Sequence, residues 1–343
     1  MKAVQIVGYN EPVKLVDAPE PKIESPTDVI VRIGGAGVCR TDLHILEGIW
    51  REMLGNPTLP YTIGHENAGW IEEVGSAVTT VKRGDPVILH PQPSCGLCRA
   101  CRSGNDMHCV NAFFPGLDGH AGGYAQYMKT TIRAVVPLAA GTDPVPLAPY
   151  ADAGITAYHA VKKIAPDTYP GCVVVVIGVG GLGHFGVQLL KTMTPAKVLA
   201  VDMSEERLAF ARRLGADHGV LAGADGGVQG VLDYTNGGAD IVMDYVGEKG
   251  TPETARKMLR KGGTYSIIGY GGTVERTALE MIFRELRIVG NLVGSYNDLA
   301  ELMELAHQGR VKIESVEFPL ESANDVLHDL DVGKIVGRAV LRP

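Results

Sequence analysis

Residues 173–183 read VVVVIGVGGLG, and this stretch decides the fold. The continuous apolar run Val173–Ile177 predicts a strand buried on both faces, as in a parallel sheet. The pattern G-x-G-x-x-G follows it at once and opens a helical stretch, 182–193, before a second predicted strand, Val198–Val201. Strand, glycine loop, helix and strand form a βαβ unit of the kind that binds a dinucleotide.

Each glycine of this loop has a separate physical role. Gly178 permits the tight turn, Gly180 lets a pyrophosphate approach the backbone, and Gly183 lets the helix pack closely on the strand. Gly181 and Leu182 complete the loop, and the positive end of the helix then faces the phosphates. The motif is weak alone, but its place between a strand and a helix makes it specific.

The rest of this half of the chain repeats the alternation. Strands are predicted at Ile241–Tyr245, Gly263–Ile268 and Ile288–Val293, and helices at Glu205–Leu214 and Thr251–Leu259. We therefore expect an α/β fold with a doubly wound parallel sheet of the Rossmann type over residues 151–294.

The first 150 residues have a different pattern of short apolar runs bounded by Gly, Pro or Asp. Val29–Ile33, Gly69–Val74 and Pro86–Leu89 each predict a short strand. Pro137–Pro149 holds four prolines and predicts an extended connector, because proline interrupts both helices and sheet ladders. We expect a separate β-rich domain over residues 1–150.

Length and composition narrow the functional classes. A chain of 343 residues favours two domains, and a net charge of -7 without a basic block argues against nucleic-acid binding. No apolar stretch approaches the roughly 18 residues that span a bilayer, and the first ten residues lack the features of a signal peptide. We expect a cytoplasmic protein without a membrane partner, in which clustered cysteines are metal ligands rather than disulfides.

Four of the six cysteines lie close together, and their spacing is C-x2-C-x2-C-x7-C. Such a loop can bring four thiolates around one tetrahedral zinc ion. With no open coordination position, that ion would only stabilise a small lobe. An iron–sulfur cluster and unrelated free thiols are the alternatives to this structural zinc. The four residues are Cys95, Cys98, Cys101 and Cys109.

A second set of candidate ligands is dispersed. Cys39 lies in Cys-Arg-Thr-Asp and His65 in Gly-His-Glu, and each fragment alone is weak, because a buried Cys or His is usually an ordinary core residue. Together with the cysteine cluster and the glycine loop, they resemble the zinc-dependent alcohol dehydrogenases of the medium-chain dehydrogenase superfamily along nearly the whole chain. The resemblance implies a GroES-like catalytic domain, to which residues 295–343 return, and a catalytic zinc held by Cys39 and His65.

The third ligand of that family is commonly Cys or Glu, and here Asp152 occupies its position. One thiolate, one carboxylate and a neutral imidazole still neutralise a zinc dication. The alternative is that Asp152 only caps the following helix. The resemblance places Glu66 beside the metal, as a fourth ligand or a neighbour of it, and makes Asp42 the carboxylate that orients the ligand histidine.

The choice between NAD and NADP depends on the residues that follow the second predicted strand of the βαβ unit, Val198–Val201. Asp202 lies 19 residues after Gly183, where a carboxylate accepts hydrogen bonds from ribose hydroxyls and repels a 2′-phosphate, so NAD is favoured. Arg207 is the counter-indication, since a guanidinium could bind the phosphate of NADP. The resemblance adds Ile268 and Val293 to the cofactor site, and it makes Arg338 a pyrophosphate contact, the alternative being an exposed surface arginine.

The resemblance also implies the chemistry. Zinc acts as a Lewis acid on an alcohol, hydride passes to the nicotinamide, and the proton leaves through Thr41, the cofactor ribose and His44. In the alternative interpretation Thr41 is a turn residue and His44 a surface side chain. The family position of the substrate pocket corresponds to Trp50, Pro91, Phe113 and Phe114.

The predicted function is reversible oxidation of a hydrophobic or aromatic primary or secondary alcohol to an aldehyde or ketone, with NAD and two zinc ions per chain. The alternatives are a polyol or amino-alcohol dehydrogenase of the same superfamily, and a catalytically silent protein that binds zinc and NAD. The family also implies a homodimer or homotetramer, for which the strand at Ile288–Val293 is the candidate edge.

Overall fold

The computed structural model describes residues 1–343. Its sixteen strands, in chain order, are β1 (Lys2–Ile6), β2 (Lys14–Asp17), β3 (Asp28–Val38), β4 (Tyr61–Thr62), β5 (Glu66–Val74), β6 (Pro86–Leu89), β7 (Tyr127–Thr131), β8 (Val135–Pro137), β9 (Val173–Ile177), β10 (Lys197–Asp202), β11 (His218–Leu221), β12 (Ala239–Asp244), β13 (Leu259–Ile267), β14 (Arg287–Gly290), β15 (Ser315–Pro319) and β16 (Arg338–Arg342).

Ten α-helices accompany these strands. They are α1 (Arg40–Leu46), α2 (Arg99–Arg102), α3 (Ala153–Ile164), α4 (Gly183–Met193), α5 (Glu205–Arg213), α6 (Val228–Thr235), α7 (Thr251–Met258), α8 (Ala278–Arg284), α9 (Tyr296–His307) and α10 (Ala323–Asp331). None of the helices is both long and apolar enough to cross a membrane.

The chain divides into two compact units. Unit 1 comprises Met1–Ile155, Ser295–Glu304 and Ile313–Pro343, and unit 2 comprises Thr156–Gly294 and Leu305–Lys312. The division differs from the predicted boundaries in two places, because residues 151–155 belong to unit 1 and residues 305–312 to unit 2. Asp152 is therefore part of the same unit as Cys39 and His65.

Unit 1 contains a seven-stranded sheet and a three-stranded sheet. The larger sheet has the order β15-β16-β3-β5-β6-β8, with β7 paired to β3, and the smaller has the order β2-β1-β4. The long strand β3 is central because its apolar side chains, including Val29, Val31 and Ile33, are buried in the core of this unit. β3 ends at Val38, immediately before Cys39.

The proline-rich segment before residue 152 is not extended as predicted. Residues Val145–Ala151 form a 3₁₀ helix that starts directly after Pro144. Proline suits the first positions of a helix, where its missing N–H leaves no hydrogen bond unmade. This helix ends at Asp152, so it sets the position of that carboxylate.

Unit 2 is built on a six-stranded parallel sheet with the order β11-β10-β9-β12-β13-β14. This is the doubly wound order in which the chain reverses direction across the sheet beside its first strand, here β9. The predicted α/β fold is therefore confirmed, and the strand predicted at Val173–Ile177 has those bounds. The glycine loop follows β9 at the point of reversal, where such sheets bind their ligands.

Asp240 joins the beginnings of two neighbouring strands in unit 2. Its Oδ2 accepts a hydrogen bond from the backbone N–H of Val173 at 2.8 Å, and its Oδ1 accepts from Tyr169 at 2.6 Å and Arg260 at 2.7 Å. Burial raises the pKa of Asp240, but these hydrogen bonds outweigh burial and hold the pKa below its usual range. The ionised carboxylate therefore stabilises the folded unit.

Asp240→Asn is expected to destabilise the protein by about 2 kcal/mol at pH 7, because hydrogen bonds to a charged acceptor are lost. A depressed folded-state pKa gives stability that is present above the unfolded pKa, near 3.9, and is lost as pH falls through the folded pKa. The urea unfolding midpoint of the variant should thus lie well below that of the parent at pH 7, and the difference between the two should be smaller at pH 3. An equal difference at both pH values would contradict this role.

Candidate metal sites and active site

The four clustered cysteines come together in unit 1. Their sulfur atoms all lie within 4.8 Å of one another, with Sγ–Sγ distances of 4.0 Å for Cys95–Cys101 and 3.5 Å for Cys98–Cys101. A tetrahedral ion with Zn–S bonds of about 2.3 Å separates its sulfurs by about 3.8 Å. All six cysteines of the chain are free, so the cluster has the shape of a metal site and not of a disulfide pair.

The backbone around the cluster favours thiolates. The N–H groups of Leu97 and Cys98 each point at Cys95 Sγ at 3.4 Å, and that of Asn111 points at Cys109 Sγ at 3.4 Å. The N–H groups of Leu97 and Cys98 lower the pKa of Cys95 to about 6, whereas burial raises the pKa of Cys101 to about 11. A cation is needed to hold all four as thiolates at neutral pH.

Cys98→Ser is expected to lower the metal content by one ion per chain, since a serine hydroxyl is a poor substitute for a thiolate. The loop from residue 95 to residue 109 should then become sensitive to limited proteolysis, because the lobe has little apolar core of its own. Cys172→Ser is the matched control, since Cys172 is buried outside the cluster. Full metal content in Cys98→Ser would contradict a four-cysteine site.

The second group of candidate ligands also comes together in unit 1. One donor atom from each of Cys39, His65, Glu66 and Asp152 lies within 4.8 Å of the others, and all four residues are buried. Cys39 caps α1 at the end of β3, and His65 directly precedes β5. Cys39 and His65 are distant in sequence, but they lie close together because β3 and β5 pair in one sheet.

His65 is the centre of this group. Its Nε2 lies 3.4 Å from Asp152 Oδ2, and Cys39 Sγ lies 3.8 Å from the same oxygen. Its Nδ1 lies 3.3 Å from Asp42 Oδ1. Neither ring nitrogen makes a well-directed hydrogen bond, although the side chain is 1% exposed. Buried polar atoms without partners are costly, and a zinc ion among Nε2, the thiol and the carboxylate would satisfy Nε2, while Nδ1 faces Asp42.

The charges of the group respond to one another. Burial lowers the pKa of His65, but Asp42, Asp152 and Cys39 outweigh burial and raise it well above its usual value. Burial raises the pKa of Asp152, but His65, Arg338 and Cys39 outweigh burial and lower it. The site therefore favours a positive charge at its centre, which a zinc cation would provide.

Glu66 is fully buried and forms an ion pair with Arg338, whose side chain is 4% exposed. Glu66 Oε1 also accepts a hydrogen bond from the backbone N–H of Ala153 at 3.2 Å. Burial raises the pKa of Glu66 to about 7 against the opposing effect of the arginine. The pair neutralises itself, so it leaves the thiolate and the Asp152 carboxylate to balance a dication.

The burial of Arg338 excludes one of the two interpretations given for it. Its guanidinium was predicted to contact the cofactor pyrophosphate, or else to lie exposed on the surface. It is buried in unit 1 and bound to Glu66, so it is not an exposed surface arginine, and the pyrophosphate contact stays a prediction. The two residues are 272 positions apart, and no sequence pattern relates them.

The two residues predicted to carry the alcohol proton away, Thr41 and His44, lie on α1. Thr41 Oγ1 is 3.5 Å from Cys39 Sγ and is buried. His44 has a side chain that is 12% exposed, with Nδ1 3.5 Å from Glu47 Oε2. Asp42 accepts hydrogen bonds at Oδ2 from the Cys39 backbone N–H at 2.9 Å and from the Tyr124 hydroxyl at 2.8 Å. Sequence reasoning missed Tyr124, because no motif links it to a residue 82 positions away.

Two of the four predicted pocket residues contact a predicted zinc ligand or a predicted catalytic residue. The ring of Phe114 meets that of His65 edge-on at 6.1 Å, and Trp50 stacks on His44 at 5.6 Å. Phe113 instead packs against His120 at 4.5 Å. The fourth, Pro91, is buried beside His90.

The glycine loop of unit 2 has the geometry that its motif predicts. Gly178 has φ of +84°, and a Cβ there would lie 2.5 Å from a methyl group of Val246. A Cβ on Gly183 would lie 1.8 Å from the carbonyl oxygen of Gly178. A Cβ on Gly180 meets nothing within 4 Å. Glycine is thus required at 178 and 183 by the fold, while Gly180 borders open space that a dinucleotide could fill.

Other predicted cofactor residues surround the ends of the parallel strands. Asp202 ends β10, and its carboxylate accepts hydrogen bonds from the backbone N–H groups of Val179 at 2.8 Å and Ser204 at 3.0 Å. It therefore clamps the glycine loop while keeping acceptor sites for a ribose. Gly181 and Leu182 directly precede α4. Arg207 lies half-buried in the first turn of α5.

Ile268 and Val293 are both buried in the same unit. The backbone N–H of Ile268 donates to the carbonyl of Asp244 at 3.0 Å. Val293 has φ of +44°, which is a strained conformation for a β-branched residue. Such strain persists where the surrounding structure imposes it, and it is concentrated near functional sites.

The likeness to known proteins covers the whole chain. The sequence matches the alcohol dehydrogenase GroES-like domain over residues 25–140 and the zinc-binding dehydrogenase family over residues 181–308. An alcohol dehydrogenase of Geobacillus stearothermophilus is 36% identical over 344 residues, which cover 100% of this chain and 99% of that protein. The chain belongs to the zinc-dependent medium-chain alcohol dehydrogenases.

Two further relatives bear on this family member. The crystal structure of the alcohol dehydrogenase from the hyperthermophilic archaeon Aeropyrum pernix has a TM-score of 0.97 and 49% identity, with 100% of both chains covered. A D-arabinose 1-dehydrogenase (NADP(+)) of Saccharolobus solfataricus is 34% identical over 348 residues, covering 100% of this chain and 97% of that protein. The predicted family and fold are confirmed, and the family includes both NAD-dependent and NADP-dependent members.

Proposed function

We propose that the protein catalyses the reversible oxidation of hydrophobic primary or secondary alcohols to aldehydes or ketones, with NAD as hydride acceptor. The observation that carries this proposal is the buried group of Cys39, His65 and Asp152, whose donor atoms lie within 4.8 Å of one another. A protein that uses zinc only for stability has no need of a second site with an incomplete ligand set.

We propose two zinc ions per chain, one at each of the two clusters. The four-cysteine loop would hold one, and Cys39, His65 and Asp152 would hold the other. The second zinc, when bound, supplies the Lewis acidity that favours loss of the alcohol proton. The chain's part is to leave the lone pair of His65 Nε2 for the ion, and Asp42 would do so by holding the single proton of the neutral ring on Nδ1.

NAD is proposed over NADP on the strength of Asp202. The carboxylate ends β10 beside the glycine loop, where it would repel a 2′-phosphate. Open space beside Gly180 supports a bound dinucleotide, whose nicotinamide supplies the hydride acceptor. Arg207 and the relative named for NADP favour the other cofactor, so the ratio of kcat/KM for the two is a direct test.

We propose that the alcohol proton leaves through Thr41 and His44. Thr41 is buried near the Cys39 sulfur, so its hydroxyl can accept the proton at the site. The partly exposed imidazole of His44 can pass a proton to solvent, and stacking on Trp50 holds the ring in place.

The choice of a hydrophobic substrate is supported by the aromatic side chains near the ligands. Phe114 packs against His65 and Trp50 against His44, so apolar surface lies next to a proposed zinc ligand and a proposed proton carrier. A polyol would leave its hydroxyl groups without hydrogen bonds against such a surface.

The experiment is elemental analysis for zinc combined with the absorbance of NADH formed from a panel of substrates. We expect two zincs per chain and the highest kcat/KM for aliphatic and aromatic alcohols. Turnover confined to sugars or polyols would overturn the substrate class. Failure of every alcohol, aldehyde and ketone to react with either cofactor would overturn the activity.

A sugar or polyol dehydrogenase is the second candidate function. It is favoured by one observation, the 34% identity to a D-arabinose 1-dehydrogenase. The same substrate panel distinguishes the two candidate functions. A sugar dehydrogenase would oxidise D-arabinose with NADP faster than any simple alcohol with NAD.

We further propose a homodimer or homotetramer that uses the edge of the parallel sheet. β14 is one of the two edge strands, and large apolar side chains on it and near it in sequence are exposed: Leu279, Ile282, Phe283, Ile288 and Leu292. An exposed apolar edge favours association with a second copy. Phe283→Asp should lower the mass measured by light scattering, and an unchanged mass would contradict this edge.

We place the protein in the cytoplasm, a reducing compartment. All six cysteines are free, and the seven proposed zinc ligands include five thiols that oxidation would remove. Cell fractionation tests this location, and recovery of the protein with secreted material would contradict it.

A further inference from the structure

Tyr124 lies in the core of unit 1 with 0% of its surface exposed, yet its hydroxyl reaches the second predicted metal site. The Oη atom lies 2.8 Å from Asp42 Oδ2 and 3.3 Å from the carbonyl oxygen of Gly37. A tyrosine hydroxyl has one hydrogen to donate, and the shorter distance and the negative charge both favour the carboxylate.

Asp42 connects this hydroxyl to both ends of the site. Its Oδ2 also accepts the backbone N–H of Cys39 at 2.9 Å, and its Oδ1 lies 3.3 Å from His65 Nδ1. The two donors on Oδ2 hold the carboxylate in one orientation. That orientation leaves Oδ1 directed at the histidine ring.

The hydroxyl stays a donor over the working pH range. Burial and the charge of Asp42 raise the pKa of Tyr124 well above its usual value, because both disfavour the phenolate.

The ring and backbone of Tyr124 support the segment before His65. Gly64 has φ of +98°, and a Cβ at this position would lie 2.2 Å from Tyr124 Cδ1. The backbone N–H of Tyr124 donates to the carbonyl of Ile63 at 2.9 Å. The aromatic ring thus fills the space beside Gly64, so two independent sets of contacts join Tyr124 to the position of His65.

We propose that Tyr124 is a positioning residue of the site formed by Cys39, His65 and Asp152, and that it acts through Asp42 on the orientation of His65. The inference rests on the proposed function, since it presupposes a metal ion at this site. It goes beyond the predicted pairing of Asp42 with His65, because it assigns the orientation of the carboxylate to a residue outside every motif.

The test is Tyr124→Phe, which removes the hydroxyl and keeps the ring. We expect the variant to lose the second zinc to a chromophoric chelator about tenfold faster than the parent, at the lower end of what groups behind a metal ligand contribute. In protein loaded with cobalt(II), the visible absorption bands of this site should shift. Cobalt-loaded Asp152→Ala, which should hold an ion only at the four-cysteine site, gives the spectrum of that site for subtraction.

Tyr265→Phe is the matched control. Tyr265 is also buried and donates to a buried carboxylate, Asp244, at 2.9 Å, but it belongs to unit 2. It should show a comparable fall in unfolding temperature with parent-like zinc release and cobalt bands.

Asp42→Asn provides a second variant and a double-mutant cycle. Zinc release should be faster in Asp42→Asn, and adding Tyr124→Phe should change it little further, because both act on one contact to His65. Additive effects, or a Tyr124→Phe protein that matches the parent in release and spectrum, would overturn the proposal. If the parent itself holds no metal at this site, the proposed function fails, and this inference fails with it.

Discussion

Asp152→Ala is expected to lose one of two zinc ions and to lower kcat/KM for the best alcohol by about a thousandfold or more, which corresponds to about 4 kcal/mol of transition-state stabilisation. Asp152 Oδ2 lies 3.4 Å from His65 Nε2 and 3.8 Å from Cys39 Sγ, so its removal opens the ligand set. The remaining thiolate and imidazole leave one positive charge of the dication unbalanced.

A rescue variant and a control sharpen this test. Asp152→Cys supplies a thiolate in place of the carboxylate, and it should retain two zincs and much of the activity. Asp298→Asn changes another buried aspartate of unit 1 that caps the start of α9, and it should retain both ions. Two zincs and parent-like turnover in Asp152→Ala would show that this carboxylate is only a helix cap.

Arg338→Met is expected to destabilise the protein by about 3–5 kcal/mol, because it leaves the Glu66 carboxylate buried without its cation. The carboxyl group would then take up a proton, since burial alone already favours its neutral form. Urea unfolding monitored by tryptophan fluorescence measures the loss.

The double variant Glu66→Gln/Arg338→Met distinguishes the ion pair from a cofactor contact. It removes both charges, so it should recover most of the lost stability. If Arg338 also bound a pyrophosphate, the KM for NAD would stay raised in the double variant. Equal urea midpoints for the parent and Arg338→Met would refute the account of the pair.

The glycine loop and the strand before it could be predicted because the relevant interactions are local. Five consecutive apolar residues exclude a half-exposed strand, and Gly178 and Gly183 occupy positions where a Cβ would clash. The cysteine loop is predictable for the same reason, since its ligands lie within fifteen residues. Close spacing limits the structures that such residues can adopt.

Arg338 and Tyr124 show what sequence reasoning could not reach. Arg338 finds Glu66 across 272 positions, and Tyr124 finds Asp42 across 82. Both contacts depend on which strands pair in the large sheet of unit 1, and neither residue stands at a spacing that implies its partner. The resemblance to a family predicted a cofactor contact for Arg338, but it did not name Glu66, which the structure places beside the guanidinium.

The 3₁₀ helix at Val145–Ala151 is a smaller difference with a local cause. Its prolines predicted an extended connector, but proline is equally suited to the start of a helix, and composition does not decide between the two. The consequence for the site is large, because the helix ends at Asp152.

Anomalous diffraction at the zinc absorption edge tests the central claim most directly, since it locates each ion without reference to activity. We predict one peak within the four-cysteine loop and a second bounded by Cys39 Sγ, His65 Nε2 and the Asp152 carboxylate. A crystal of zinc-saturated protein with a peak only in the four-cysteine loop would contradict the proposed active site.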